Sequence, residues 1–385
     1  MAPRWWMLGT LLAVFAHGSL AEAQIAISAN DNKVVLVNGA VQVVKSPAPD
    51  TLTVIDLKAS PPRVLAEIQA PTSVVGPPFS VAISPDESLA LVTANMKVDP
   101  ADPTKTVPDN RMSVVDLTSS PPKVIATVET GKGPAGVSIN RQGTLALVAN
   151  RNEGTVSVYT IQGKTVAPAG KIALGDEKSG PSHAVITPDG KMALVTRDGD
   201  DRVSLLSIDG TKVEYAKRDL SAGLRPYGID MAGSGAHAVV ANVGRGGGDL
   251  DTISLIDLRA SPVRVVDTVT VGQTPEGIKL SPDGSTVAVV MMNGSNKPKE
   301  SPFYADNGKL VLFRVAGKTL QKVAEAPIGH WSQGAAFSAD GRTILVGNMV
   351  EKDIQVFQWN GTTLKDTGTR IKVSGGSAAL RTADR

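Results

Sequence analysis

The sequence predicts an all-β fold, a seven-bladed β-propeller built from four-stranded antiparallel blades. Three observations lead to this prediction: one pattern recurs seven times, each copy contains four short strands, and no segment keeps a helical periodicity. The copies are centred near residues 28, 84, 140, 187, 232, 281 and 338, at intervals of 45 to 57 residues. Four-stranded units at such intervals are typical of propeller blades, which stack radially because one small sheet cannot bury its two apolar faces alone.

Each copy begins with an apolar strand that runs into a turn of the Ser-Pro-Asp-Gly type, as at 281–284. Proline suits the second position of a type I turn and glycine the fourth. A second strand often ends in asparagine, whose side chain is expected to tie off the turn by bonding nearby backbone. The third strand alternates between apolar and polar residues, as in 155–159, and a fourth follows another turn, as in 124–128.

The residues Val148-Ala149-Asn150, followed by the strand that starts at Thr155, resemble the YVTN-repeat β-propellers. The resemblance extends over the whole chain after residue 23. It implies the seven-bladed fold, and the family includes binding proteins, surface proteins, lactonase-like enzymes and maturation factors. The segment 180–183 is also similar to a Gly-Pro-Arg-His stretch of lactonase-type propellers, with Ser182 in place of the arginine. This likeness implies a catalytic role for His183.

The composition excludes several classes of protein. The 385 residues include no cysteine, which rules out disulfide frameworks, thiolate metal sites, cysteine nucleophiles and c-type haem attachment. Acidic and basic residues are nearly balanced, with a net charge of +2, so the charge gives no reason to expect nucleic acid as a partner. We expect no cofactor and no resident metal.

The first 23 residues have the layout of a secretory signal peptide. A short basic region with Arg4 precedes an apolar stretch that is too short to cross a bilayer, and Ala21-Glu22-Ala23 is a small-x-small cleavage signal. We therefore expect cleavage after Ala23 and a periplasmic or secreted protein without a membrane span, acting as a monomer. Residues 24–373 are predicted to form one propeller domain, and residues 374–385 a loose tail.

The sequence also suggests how the ring of blades closes. Ile25 is predicted to begin the first strand of the first copy, which leaves no spare N-terminal strand to donate to another blade. The chain after Ser338 is long enough to complete the seventh copy, with 371–373 in its outer strand. The first and last blades are therefore expected to meet by packing, without exchange of a strand.

One face of the propeller is predicted to carry the functional site. The connections from second to third strands and those between blades share this face, and the four longest insertions are second-to-third connections, at 38–50, 95–110, 244–251 and 293–308. Long loops on a rigid scaffold commonly carry function. Five of the eleven aromatic residues after residue 23 also belong to this face. They are Phe79, Tyr227, Phe303, Tyr304 and Trp331.

Aromatic and polar side chains at a concave channel mouth would suit a small molecule or a periplasmic protein or peptide. The main prediction is therefore a binding or scaffold protein without catalytic activity. The candidate ligand-binding residues are Phe79, Tyr227, Tyr304, His330, Trp331 and Gln333, although Phe79 and Tyr227 could equally plug the channel or wedge blades apart.

The alternative is a lactonase-like hydrolase or isomerase at the same mouth. Its candidate catalytic residues are His183, Arg225 and Glu276, because the reaction needs a group that exchanges a proton near pH 7 and a cation that holds an oxyanion. A structural role for His183 stays open. A further alternative, a factor for periplasmic cofactor or redox-enzyme maturation, follows from the family resemblance alone.

Two groups of residues carry side chains of the kinds that bind metal ions. His183, His330 and Glu276 could bind a metal only if the channel mouth brings them together. The acidic segment 197–201 is rich in oxygen ligands but lacks the spacing of a complete calcium loop, and a solvated turn is the preferred interpretation.

Overall fold

The computed structural model describes residues 25–384, and in this range it contains 30 β-strands and no helix. The all-β prediction and the seven four-stranded antiparallel blades are both confirmed. No helix in the described range could therefore span a membrane. The predicted signal peptide, 1–23, lies outside the described residues.

Six blades follow one another along the chain, each running from an inner to an outer strand. Blade 2 comprises β6 (Val81–Ile83), β7 (Leu89–Val98), β8 (Thr106–Asp116) and β9 (Lys123–Glu129). Blade 3 comprises β10 (Pro134–Ile139), β11 (Leu145–Asn150), β12 (Thr155–Gln162) and β13 (Thr165–Ala173). Blade 4 comprises β14 (Pro181–Ile186), β15 (Met192–Arg197), β16 (Arg202–Asp209) and β17 (Lys212–Leu220).

The next three blades repeat this order. Blade 5 comprises β18 (Pro226–Met231), β19 (His237–Asn242), β20 (Asp251–Asp257) and β21 (Arg264–Gly272). Blade 6 comprises β22 (Pro275–Leu280), β23 (Thr286–Met291), β24 (Gly308–Ala316) and β25 (Thr319–Ile328). Blade 7 comprises β26 (Ser332–Phe337), β27 (Thr343–Asn348), β28 (Asp353–Trp359) and β29 (Leu364–Lys372).

Blade 1 joins the two ends of the described chain. Its order from the inside outwards is β30 (Gly376–Thr382), β1 (Ile25–Asp31), β4 (Thr51–Asp56) and β5 (Arg63–Gln69). The strands β1 and β30 are antiparallel, with Ser28 opposite Leu380. A separate two-stranded hairpin, β2 (Val34–Val37) with β3 (Ala40–Val43), lies within the connection from β1 to β4.

This arrangement corrects two predictions. Residues 374–385 are not a loose tail, because 376–382 form a fully buried inner strand. The ring also closes by strand pairing across the chain ends, whereas packing alone was predicted. Ile25 therefore opens the second strand of its blade and not the first, since β30 supplies the inner strand that the first copy lacks. The hydrogen-bonding edge of β1 and the apolar face of Leu380 are buried together by this pairing.

The repeated turns form as the sequence predicts, but the asparagine amide of blade 3 bonds to side chains of the third strand, whereas bonding to nearby backbone was predicted. In the turn of blade 6, the Ser281 hydroxyl donates to Asp283 and accepts the backbone N–H of Thr286 at 2.9 Å. At the end of the second strand of blade 3, the Asn150 amide donates to the hydroxyls of Thr155 and Ser157 on the third strand, both at 2.9 Å. These side-chain bonds stabilise the turn between the first and second strands of blade 6 and the connection between the second and third strands of blade 3.

The four long insertions all join second to third strands, as predicted. We call the face that carries them the upper face. There the tip of the β2–β3 hairpin crosses to the insertion of blade 6, where the Asn38 amide is 3.4 Å from the Glu300 carboxylate. Gly39, with φ of 75°, lies so close to Pro298 that a Cβ atom would be 2.2 Å from its nitrogen. The hairpin thus covers part of the channel mouth.

The pairing of β30 with β1 makes a testable prediction about stability. Leu380 is fully buried between blades 1 and 7, so Leu380→Ala should lower the free energy of unfolding by about 2–5 kcal/mol. Leu250→Ala is the matched control, because Leu250 is 70% exposed on the upper face and its truncation should change stability by about 0.5 kcal/mol or less. Urea denaturation measures both. Equal effects of the two substitutions would contradict the closure.

Candidate active site

The inner strands of blades 3 to 7 begin in the same unusual way. The residue before each strand has a positive φ, between 50° and 65°. In three of the five blades this residue is not glycine but Arg225, Thr274 or Trp331. Such backbone is uncommon outside glycine and is held only by its surroundings. At Arg225, with φ of 55°, the backbone N–H donates to the Asp201 carboxylate at 2.8 Å. The following strand residues, Tyr227 and Glu276 among them, are thereby placed at the upper end of the channel.

A buried carboxylate organises two arginines at this mouth. Asp198, immediately after β15, has a side chain that is only 2% exposed. Arg151, immediately after β11, donates to its two oxygens at 2.5 and 2.7 Å. Arg225 donates to the same carboxylate at 2.8 Å, as does the Ser182 hydroxyl. Burial alone would raise the pKa of Asp198, but the hydrogen bonds and charge of Arg151, and those of Arg225 and Ser182, lower it.

Tyr227 adds an aromatic ring to this group. The Arg151 guanidinium lies 5.3 Å from the centroid of the Tyr227 ring, within range of a cation–π interaction. The ring is almost completely buried, and burial raises the pKa of the Tyr227 hydroxyl well above its usual value. Tyr227 therefore stays neutral and confines the guanidinium of Arg151 on one side.

Glu276 is the group at the mouth whose pKa lies near neutral pH. Burial raises the pKa of its carboxyl to about 7, although the charges of Arg225 and Arg151 oppose the rise. Asp198 adds to the increase by repulsion. A carboxyl with a pKa near 7 can take up and return a proton at neutral pH, which is what a general acid–base group requires.

Arg151, Asp198, Arg225, Tyr227 and Glu276 together form what we call the mouth cluster. His183 lies deeper in the channel than this cluster. It is fully buried, and its ring stacks on Phe79 with the centroids 4.2 Å apart. Its Nδ1 is 2.9 Å from the backbone carbonyl of Ile229, and its Nε2 is 3.1 Å from the Ser138 hydroxyl. Burial, together with the charge of Arg381, lowers the pKa of His183 to about 3, so it is neutral at pH 7.

Glycines at one repeated position make room for the His183–Phe79 stack. A Cβ atom at Gly136 would lie 2.5 Å from the His183 ring, and one at Gly228 would lie 2.8 Å from the Phe79 ring. Both glycines are the third residue of their inner strands, the position that His183 occupies in blade 4. The stack therefore fills the channel because the neighbouring blades lack side chains there.

The remaining predicted ligand-binding residues lie elsewhere on the upper part of the ring. Trp331 is buried beneath the β2–β3 hairpin, where it packs with Val34 and Met349. His330 is partly exposed and its Nδ1 is 2.6 Å from the Glu351 carboxylate. Gln333 is fully buried and its Oε1 has no hydrogen-bond partner. Tyr304 belongs to the long insertion of blade 6.

Of the three predicted catalytic candidates, the structure brings Arg225 and Glu276 together and leaves His183 outside their cluster. In residues 25–384 there is no group of three or more histidine, aspartate or glutamate side chains that could hold a metal ion. The solvated-turn interpretation of segment 197–201 is wrong for its first two residues. Arg197 and Asp198 are both buried, because Asp198 serves the arginines of the mouth.

Sequence reasoning did not name Arg151 and treated Asp198 only within the acidic segment 197–201, although the repeat contains a signal for both. Both directly follow the second strand of their blade, in neighbouring blades 3 and 4. The equivalent residues of blades 5, 6 and 7 are apolar, namely Val243, Met292 and Met349. An opposite pair of charges at a position that is otherwise apolar indicates an ion pair between adjacent blades.

The raised pKa of Glu276 predicts a pH-dependent stability. The folded protein holds the proton more tightly than the unfolded chain, whose ordinary value is 4.5, so stability is present at low pH and is lost as the pH rises towards 7. Glu276→Gln removes this loss. The variant should match the wild type near pH 4.5 and exceed its free energy of unfolding by about 1–3 kcal/mol at pH 8.

Urea denaturation at the two pH values measures this difference. Glu177→Gln is the control, because Glu177 is exposed on a loop of blade 4. A Glu276→Gln advantage that does not grow with pH would contradict the buried, proton-binding carboxyl.

Comparisons with solved structures agree with the fold. A candidate 6-phosphogluconolactonase from Bacteroides fragilis is 17% identical and superposes with a TM-score of 0.69, over 95% of this chain and 99% of that one. The periplasmic gluconolactonase of Pseudomonas aeruginosa is 19% identical, with a TM-score of 0.67 over 93% of this chain and 99% of that one. At these identities the likeness shows the fold alone.

A comparison with curated protein sequences gives no match. The profile of one family, described as "Lactonase, 7-bladed beta-propeller", matches residues 65–380. That match begins in blade 1 and runs through to the closing strand, so it includes every residue of the mouth cluster. The chain belongs to the seven-bladed β-propeller lactonase family.

Proposed function

We propose that the protein is a hydrolase of small cyclic esters and that its active site is the upper mouth of the channel. The observation that carries the proposal is the buried carboxyl of Glu276, with a pKa of about 7, beside the guanidinium groups of Arg151 and Arg225. Membership of the lactonase family supports the same reaction class. The non-catalytic scaffold, our first prediction from the sequence, gives no account of a proton-exchanging carboxyl held among cations.

In the proposed reaction, the ionised form of Glu276 takes a proton from a water molecule while the oxygen of that water attacks the carbonyl carbon of the lactone. The carbonyl oxygen becomes an oxyanion, and the positive charge of Arg225 or Arg151 stabilises it. The ring carbon–oxygen bond then breaks, and protonated Glu276 returns its proton to the leaving alkoxide. One water is consumed and one hydroxy acid is released, so the carboxyl ends in its starting state.

Asp198 acts in this scheme as a positioning residue. It binds Arg151 through two hydrogen bonds and Arg225 through one, so both guanidinium groups have fixed orientations before a substrate arrives. Fixed charges stabilise a developing oxyanion better than mobile ones because they need not reorganise during the reaction. His183 is neutral and bonded within the channel, so the scheme assigns it a structural role.

Glu276→Gln tests the proposal. Gln has nearly the same shape but cannot accept a proton, so we expect kcat/KM for hydrolysis of sugar lactones to fall by about a hundredfold or more. Wild-type kcat/KM should rise with pH to a plateau, with a midpoint near the pKa of Glu276. Initial rates are followed by the acid released during ring opening.

Glu351→Gln is the matched control, since Glu351 lies on the same face but pairs with His330. It should keep the wild-type rate. If purified wild-type protein hydrolyses no lactone, or if Glu276→Gln hydrolyses them at the wild-type rate, the proposed function is wrong.

We also propose that the protein works in the periplasm. The basic, apolar and small-residue pattern of residues 1–23 supports export, and a structurally similar gluconolactonase is described as periplasmic. In a Gram-negative host, the full chain should appear in the periplasmic extract with Gln24 as its first residue by mass spectrometry. Replacement of residues 1–23 by a single methionine should keep it in the cytoplasm. An intact N-terminus on the full chain would contradict the proposal.

A further inference from the structure

The lower end of the channel holds a cavity that the lactonase reaction does not use. It has a volume of about 340 Å³ and lies where the inner strands end, on the face opposite the long insertions. The mouth residue Tyr227 comes near the start of β18, whereas the cavity is lined by Asp230 and Met231 at the end of that strand. The Phe79–His183 stack lies between these two levels.

The walls of the cavity are mainly apolar. They include side chains from the ends of several inner strands that are nearly or completely buried, such as Ile139, Ile186, Leu280 and Phe337. Such walls would exclude a strongly hydrated molecule and favour a small apolar body.

Charged side chains form the polar side of the cavity: Arg141, Asp230, Lys279 and Asp384 line it, and Arg381 pairs with Asp384. Lys279 Nζ is 3.2 Å from the Asp230 carboxylate and 2.9 Å from Asp384 Oδ1. Arg381 Nη2 donates to Asp384 Oδ2 at 2.6 Å. The Arg381 side chain is only 3% exposed, and its Nε and Nη1 atoms have no hydrogen-bond partner. The guanidinium of Arg381 also lies 4.7 Å from the centroid of the Phe79 ring, and its Nη1 is 3.8 Å from Asp230 Oδ1. Arg381 is therefore a buried cation whose hydrogen bond to a carboxylate is the one it makes with Asp384.

The two carboxylates differ in how firmly they are held. Asp230 is only 2% exposed at its side chain and accepts the backbone N–H of Leu280 at 2.7 Å, so it is fixed within the strand layer. The side chain of Asp384 is 37% exposed and lies two residues beyond the end of β30. Asp384 can therefore turn towards solvent while Asp230 stays in place.

We propose that this cavity binds a small apolar monocarboxylate, whose carboxylate replaces that of Asp384 between Lys279 and Arg381. When Asp384 turns outwards, Lys279 and Arg381 keep Asp230 as their shared carboxylate partner, and Arg141 adds a further positive charge to the wall, so the site attracts an anion. The apolar part of the ligand then fills the cavity. The apolar walls disfavour a strongly hydrated anion such as phosphate, and a cation would meet Lys279 and Arg381. This inference is independent of the proposed lactonase activity.

Isothermal titration of the full-length protein with benzoate tests the inference. Asp384→Ala removes the competing carboxylate, so benzoate should bind this variant about tenfold more tightly than the wild type. Gluconate carries the same charge on a strongly hydrated body and should not bind at this site. Thermal melting verifies that each variant is folded.

Two further variants distinguish this site from the arginines of the upper mouth. In the Asp384→Ala background, Lys279→Gln should abolish the gain in benzoate affinity because it removes one of the two cations. Ala339→Trp should abolish it by filling the cavity, since Ala339 is a partly exposed residue of its wall. Benzoate affinity that is unchanged by Asp384→Ala, or that survives Ala339→Trp, would overturn the inference. Neither result would bear on the effect of Glu276→Gln on lactone hydrolysis.

Discussion

The pairing of β30 with β1 is the constraint on which the rest of the structure depends. It joins residues from opposite ends of the described chain, and the hydroxyls of Ser28 and Ser377 meet at 2.8 Å although 349 positions separate them. A propeller blade buries its faces only against two neighbours, so an open ring would leave two blades half exposed. Closure also supplies the seventh inner strand, which brings Ala378 under the hairpin and Arg381 to within 3.8 Å of Asp230.

In the closed ring, the inner strands of the blades line one channel whose chemistry differs from one end to the other. The first residues of the inner strands meet at the mouth, their middle residues meet at the His183–Phe79 stack, and their last residues line the lower cavity. The third residue of the inner strand is glycine in blades 3, 5, 6 and 7, at Gly136, Gly228, Gly277 and Gly334. His183 replaces this glycine in blade 4, and its side chain stacks there on Phe79, which precedes the inner strand of blade 2. The same repeat therefore separates two ends of the channel that differ in chemistry.

The sequence pattern predicts the pairing of strands that are close in the chain, but not the pairing of strands that are far apart in it. The blade count follows from the sequence because in six of the seven blades every strand pairs only with strands adjacent in the chain. The closing strand could not be predicted in this way, since Gly376–Thr382 lacks β-branched alternation and its partner lies at the other end of the chain. Arg225 and Glu276 lie at the starts of the inner strands of neighbouring blades 5 and 6, and could be predicted to meet. The burial of Trp331 could not, because it depends on a hairpin that packs across the ring.

Asp198 sets the chemistry of the mouth through the charges of its partners. Two unshared guanidinium groups beside Glu276 would hold its carboxylate ionised and make it a weak base. Because Asp198 binds both Arg151 and Arg225, it offsets part of their charge and adds its own repulsion, so burial dominates and the pKa of Glu276 reaches about 7. The arginines remain cationic towards a developing oxyanion. One buried aspartate thereby reconciles a proton-accepting carboxyl with the cations that the same reaction requires.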